Sequence, residues 1–485
     1  MIQRACHFAA FVRALLLLCA ALPLGASLHA QADTTRDARF LGTWSGVLVI
    51  GVPTLRLVLE VTRSAGALTG TLESPDQGNA RIPAQLAVQG DSLVVRMPMV
   101  GATFTGALTS AGDTLRGPFI QAGRTGSLAM AHVASSIVKV TSARPQEPSL
   151  PLPYRVTDVA FESVPGVRIA GTLTEPQGPG PFPAVVLVTG SGPQDRDEAL
   201  MGHRPFYVLS DYLTRRGIAV LRSDDRGVAK STGVFARATT ADFANDAEAA
   251  VRFLGTRPEI AHDRIGIIGH SEGGMIAPMV AARSADVAFI VMMAGPGVRG
   301  DSLMTLQTRA QLRLGGASAT QQDSVTAFNA QVFRAVASAP DSAQARARAS
   351  ALEDEFIASR PGSEQAALRT SLASGLTQLT GAWMRGLLRY DPTSTLMRVH
   401  VPVLAINGTL DSQVPYREDL DGIAAALKAG GNKDYEIVAL PGLNHLFQTA
   451  KTGAVGEYMG IEETIAPAAL AQMGDWIVRR FVHRE

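Results

Sequence analysis

The chain has 485 residues, 46% of them hydrophobic and 18% charged, with a formal net charge of +1. That length exceeds one ordinary core and implies two or three domains at roughly 150 residues each. The near-neutral charge excludes the electrostatic footprint that nucleic acid or an anionic membrane surface requires.

The first residues carry Arg4 and Arg13, then the apolar run Ala14–Leu22, then Pro23, Gly25 and the small-residue site Ala30-Gln31-Ala32. This is the pattern of a secretory signal peptide over residues 1–32, so Asp33 is the expected mature start and the protein is expected to be exported, periplasmic or secreted. Its removal takes two arginines and no acid, which moves the charge from +1 to −1. The apolar run is shorter than the roughly 20 residues a spanning helix needs, and no later stretch is long enough, so no integral membrane segment is expected in the mature chain. Both cysteines, Cys6 and Cys19, fall inside this segment. Disulfides and a cysteine nucleophile are thereby excluded for the exported part.

An all-β accessory domain is expected over residues 33–141. Short β-prone runs, Trp44–Ile50, Leu55–Val61, Leu68–Glu73, Leu93–Met97, Thr103–Leu108 and Thr114–Ile120, alternate with turn signals such as Gly90-Asp91. That rhythm belongs to a small antiparallel sandwich or barrel. No cluster of catalytic residue types occurs there. Residues 142–153, with Pro145, Pro148, Pro151 and Pro153, read as an extended proline-rich linker.

Beyond it, over residues 154–485, apolar strands alternate with helical stretches: Ala184–Val188, a helix near Phe206–Arg215, Ile218–Arg222, Ala241–Leu254, Ile265–Ile268, Met275–Ala282 and Ala288–Met293. This alternation builds an α/β unit with a mainly parallel sheet covered on both faces. Residues 300–390 interrupt it with a helix-prone segment containing Leu303–Leu314 and Ser324–Ala337, the expected helical cap insertion. Sheet elements return at Val401–Ile406 and Tyr435–Leu440, followed by a last helix near Pro467–Phe481.

Chemistry concentrates at the carboxyl ends of these strands. Ile265-Gly266-Ile267-Ile268 leads into Gly269-His270-Ser271-Glu272-Gly273-Gly274 and then a small-residue helix, which is G-x-S-x-G in its strand-turn-helix setting. Gly269 and Gly273 suit the tight elbow, and Ser271 is the candidate nucleophile. A serine needs a base to take its proton. Outside the signal segment the chain offers His132, His203, His262, His270, His400, His445 and His483. Only His445, in the loop after Tyr435–Leu440, combines a strand's carboxyl edge with a position after the serine; His203 reads as an ordinary loop histidine. Asp411, following Val401–Ile406, is the candidate acid that orients the base, with Glu418 and Asp419 read as solvated residues of the next helix.

Two backbone donors are expected for an oxyanion: the N–H of Glu272 and that of Ser191, with Gly192 close behind. Pro193 and Asp195 break the dinucleotide fingerprint that Gly190-Ser191-Gly192 begins. The clusters Asp195-Arg196-Asp197-Glu198 and Asp224-Asp225-Arg226-Gly227 read as ion-pair networks that fix loops. No spacing suggests a metal site, and no cofactor is expected.

These motifs, with Asp225-Arg226-Gly227, Val414-Pro415 and Gly442-Leu443-Asn444-His445-Leu446-Phe447, resemble the α/β-hydrolase superfamily, and more closely its secreted bacterial esterase-like members of the dienelactone-hydrolase and serine-aminopeptidase-like kind. The similarity spans roughly residues 154–485. It implies carboxylic-ester hydrolysis through an acyl-enzyme, with Ser271, Asp411 and His445 matching the triad positions, and an N-terminal β domain as some members carry. Thr189-Gly190 replaces the His-Gly of lipase and esterase relatives. The expected partner is a small-molecule ester. Amino-acyl or dipeptide substrates, whose amine would meet Asp195, Asp197 or Glu272, thioesters, and a noncatalytic role in binding a cell-envelope polymer are the alternatives. The sequence leaves oligomeric state open, a homo-oligomer included.

Overall fold

The computed structural model describes residues 37–49, 55–64, 67–74, 80–97, 101–121, 124–133 and 144–482. The signal segment, Ile50, residues 134–143 of the expected β domain and linker, and His483 lie outside the described residues. The chain divides into two compact units.

The N-terminal unit is a closed barrel of eight strands in sequential antiparallel order: β1 (Gly42–Val49), β2 (Leu55–Ser64), β3 (Ala67–Ser74), β4 (Ala80–Gln89), β5 (Ser92–Met97), β6 (Ala102–Leu108), β7 (Thr114–Gln121) and β8 (Arg124–Val133), with β8 returning to β1. Closure leaves no strand edge unpaired. Inward positions fill the barrel with Trp44, Leu59, Leu93, Met97, Phe104 and Leu115, all buried. Trp44 keeps its indole N–H satisfied by donating to the Phe40 carbonyl at 2.9 Å.

The second unit is built on an eight-stranded sheet. Its strands are β9 (Arg155–Val164), β10 (Val167–Glu175), β11 (Phe182–Val188), β12 (Ala219–Ser223), β13 (Ile260–His270), β14 (Phe289–Met293), β15 (Val403–Gly408) and β16 (Tyr435–Leu440). Their order is β16-β15-β14-β13-β11-β12-β10-β9, parallel from β12 to β16 and antiparallel at β10 and β9. The chain leaves β11 for β12 on one side and β13 lies on the other, so the strand order reverses between β11 and β13. An open α/β sheet has its crevice at such a reversal, at the strands' carboxyl ends.

Alternate residues of β11 point to opposite faces: Ala184 and Val186 join the core under helices α2 (Thr240–Gly255), α3 (Glu272–Ala281) and α10 (Tyr416–Ala429), whereas Val185 and Leu187 join the core under α1 (Pro205–Thr214) and α11 (Pro467–Ile477). Between β14 and β15 the chain forms α4 (Gly300–Leu314), α5 (Ala319–Ser338), α6 (Ser342–Ala358), α7 (Gly362–Leu379), α8 (Ala382–Arg389) and α9 (Pro392–Leu396). This is the helical insertion. It carries buried residues of its own, among them Leu312, Val332 and Val336, and Phe328 stacks on Phe356 at 4.1 Å.

The described part of the proline-rich segment, residues 144–153, is irregular. Arg144 donates to the carbonyls of Met201, Gly202 and Ile461, and Gln146 bonds both Thr464 and Ile465, which fastens this stretch to the unit that holds the mixed sheet.

Candidate active site

Ser271 sits between the last residue of β13 and the first of α3, with φ 53° and ψ −112°. Few non-glycine residues adopt such a backbone, and it persists only where the surroundings over-determine it. Here they do: a Cβ on Gly269 would stand 1.9 Å from the Gly273 carbonyl oxygen, and one on Gly273 would stand 2.1 Å from that of Val188. The Ser271 N–H is tied to the Met293 carbonyl at 2.8 Å.

Asp411 and His445 lie in the loops that follow β15 and β16 and are 7% and 4% exposed. His445 Nδ1 is 2.7 Å from Asp411 Oδ2, while Asp411 Oδ1 accepts the N–H groups of Gln413 and Val414 at 2.8 and 2.9 Å. Two side chains that the sequence did not single out shape these loops. Asn407 bonds the Val414 carbonyl and the Gly408 N–H; Asn444, wholly buried, accepts from the N–H groups of Leu446 and Gln448. No hydrogen bond joins Ser271 Oγ to His445 among the described residues, and catalytic contacts of this type often tighten only with substrate bound.

The loop after β11 passes directly beside the serine: a Cβ on Gly190 would lie 3.2 Å from Ser271 Cβ. The Gly190 N–H is already given to Glu198 Oε1 at 2.7 Å. Ser191 and Gly192 follow, Gly192 with φ +103°. A cavity of about 50 Å³ adjoins this loop, lined among others by Gly190, Gly192, Asp225 and Glu272.

The side chain of Glu272 is buried and takes the Thr240 hydroxyl at 2.6 Å and the Trp383 indole N–H at 2.9 Å. Burial raises its pKa against these bonds and that of the Ser191 hydroxyl. Trp383 belongs to α8 of the insertion, so the residue after Ser271 is also bonded to the insertion. Asp225 is partly buried, and desolvation pushes its carboxyl up to about 8 despite bonds from Thr189 and the Gln194 N–H.

The neighbouring charged clusters are engaged in ion pairs: Arg196 with Asp224 at 2.6 Å, Arg226 with Asp246 of α2 at 2.7 Å, and Asp197 with Arg222 of β12. His203 is buried, bonded to Thr464 Oγ1 and the Tyr458 carbonyl, and burial lowers its pKa to about 4. Asp419 departs from the sequence reading. It is fully buried rather than solvated, because α10 packs against the chain after β14 and Asp419 Oδ1 accepts the Gly297 and Val298 N–H groups.

The sheet, its reversal point, and a serine elbow and a His–Asp pair at the carboxyl ends of its strands belong to an α/β-hydrolase-superfamily fold, here with an N-terminal β-barrel domain. Residues 165–427, more than half of the chain, match the family model described as X-Pro dipeptidyl-peptidase (S15 family), and the chain belongs to that family. It is 27% identical over 296 residues to esterase EstD of Thermotoga maritima. That match takes up 61% of each protein, so the chain spans about three fifths of the curated relative's length. Among solved structures it is similar to the Pyrococcus furiosus esterase Pf2001 (16% identity, 68% of this chain and 92% of that one, TM-score 0.41) and to the α/β hydrolase GrgF from a Penicillium species (16% identity, 68% and 99%, TM-score 0.41).

Proposed function

We propose that the protein is a serine hydrolase that cleaves carboxylic esters of small or medium acyl groups through an acyl-enzyme. His445 takes the proton of Ser271, and the oxygen attacks the ester carbonyl. The N–H groups of Glu272 and Ser191, with Gly192 adjacent, hold the tetrahedral oxyanion. Collapse breaks the bond to the alcohol, which leaves with the proton from His445. Water, deprotonated by the same imidazole, then attacks the acyl-enzyme and releases the acid and Ser271. The observation that carries this reading is the 2.7 Å contact of His445 with Asp411 at the sheet edge that bears the strained Ser271 elbow.

Family membership favours a second reading, action on amino-acyl or peptide substrates. Such a substrate needs a carboxylate free to meet its amine. Glu272 is held by Thr240 and Trp383 and Asp197 by Arg222, which leaves these two acids committed within the chain and supports the ester reading.

The deciding experiment compares p-nitrophenyl acetate, butyrate and octanoate with amino-acyl p-nitroanilides, using the protein and its Ser271→Ala variant. Ester turnover should fall by about 10⁴- to 10⁶-fold in the variant. Turnover of anilides alone would move the assignment to a peptidase, and activity surviving the variant would remove Ser271 as nucleophile. A fluorophosphonate that fails to label Ser271 would favour a noncatalytic binding protein.

A further inference from the structure

His270 precedes the nucleophile and has no part in the proton transfers above, yet its ring is committed at both nitrogens. Nδ1 lies 2.9 Å from Glu198 Oε1, and Nε2 lies 2.9 Å from the backbone carbonyl oxygen of His445. A carbonyl oxygen and an ionised carboxylate only accept, so each ring nitrogen must carry a hydrogen. A neutral ring would turn one lone pair toward an oxygen in a buried site, which costs more than the bond it replaces gains. Of the two groups sharing the Nδ1 proton, imidazole is ordinarily the stronger base, and Glu198 Oε1 already accepts the Gly190 N–H.

This pair joins three parts of the site. Glu198 comes from the loop after β11 and fixes Gly190, beside the expected oxyanion donors; His270 ends β13 and precedes Ser271; the carbonyl it holds is that of His445 itself. The His270 and His445 rings are 4.8 Å apart, and Asp411 also acts on His270.

We propose that His270 and Glu198 form a permanent imidazolium–carboxylate pair, a positioning device that locks the donor loop and the His445 backbone around Ser271. The positioning role rests on the reading of Ser271 as nucleophile; the charge state of His270 does not. Burial by itself disfavours the charged ring, but the attraction of Glu198 and its hydrogen bond outweigh it and raise the pKa.

Nitrogen-15 NMR of histidine-labelled full-length protein reads the charge directly. One ring should show both nitrogens protonated, unchanged between about pH 6 and 9, and Glu198→Gln should abolish that signal. A His270 ring that is neutral or titrates in this interval overturns the proposal. In kinetics, Glu198→Gln and His270→Gln should each lower kcat by roughly 10- to 100-fold with KM changed less than about threefold, the size expected when a group that orients a reacting residue is lost. Variants that fold, as judged by unchanged circular dichroism, yet keep full kcat overturn the role; should His270→Gln fail to fold, Glu198→Gln and the NMR signal decide. Absence of Ser271 labelling by a fluorophosphonate in the unsubstituted protein would sink the nucleophile reading and the positioning role with it, even with the doubly protonated ring observed.

Discussion

His445 Nδ1 meets Asp411 Oδ2 at 2.7 Å while the other carboxylate oxygen is occupied by two backbone N–H groups, so the acid can neither rotate nor trade partners. The imidazole is thereby held with a hydrogen on Nδ1 and with Nε2 free to accept a proton. Asp411→Asn would keep the shape but would turn an amide N–H toward Nδ1 and select the wrong tautomer. Its kcat should fall by about 10³- to 10⁴-fold with little change in KM. A loss of less than tenfold, measured by steady-state ester hydrolysis, would exclude Asp411 from the orienting role.

The elbow makes a second, steric prediction. A methyl group at position 273 would lie 2.1 Å from the Val188 carbonyl oxygen, where only backbone movement can relieve it. Gly273→Ala should lose about 2–4 kcal/mol of stability and nearly all turnover, since the strand and the helix that hold the Ser271 backbone must part. Urea denaturation and burst titration check the two effects separately. Retention of both would show that the elbow tolerates a conformation the present packing forbids.

Much of this geometry was legible in the sequence because it depends on neighbours in the chain: glycines two residues either side of Ser271, and Asp411 and His445 each a few residues beyond an apolar strand. What was not legible depends on partners far away. β10 was missed because Thr172, Thr174 and Glu175 look like surface residues; they are buried, with the two threonine hydroxyls bonded to residues such as Asp158, Ser210 and Thr214. β4 contains Pro83, which argues against a strand. Asp419 beside Glu418 reads as a solvated first helical turn until the Gly297 loop covers it. His270 and Glu198 are 72 residues apart, and neither carries a signal without the other.

Glu272 and Trp383 yield a third test. Their bond links the residue after Ser271 to the helical insertion, and a buried carboxylate that loses a donor is left with unmet desolvation. Trp383→Phe should therefore lower stability by about 1–3 kcal/mol. In a double-mutant cycle with Glu272→Gln, the coupling should be favourable and of similar size. Coupling near zero would mean that the cap is held elsewhere.

The last prediction concerns pH. The carboxyl of Asp225 is raised to about 8 in the folded protein, whereas an unfolded aspartate ionises near 4. Between those values the native state keeps a proton that the unfolded state has released, so the stability this group contributes is full below about pH 4 and is lost as the pH climbs toward 8. His203, lowered to about 4, acts in the opposite sense, but only below its unfolded value of about 6.5. From about pH 6.5 to 8, Asp225 therefore acts without that opposition, and Asp419, raised to about 7, and His270, whose pKa is also raised, add to the loss. In Asp225→Asn the amide can accept the Gln194 N–H and donate to the Thr189 hydroxyl, preserving both bonds without a titrating proton. The variant should lose stability less steeply over this interval, by about 1.4 kcal/mol per pH unit for one proton. Urea midpoints at the two ends of the interval measure the slope, and parallel slopes for the two proteins would show that Asp225 is ionised throughout.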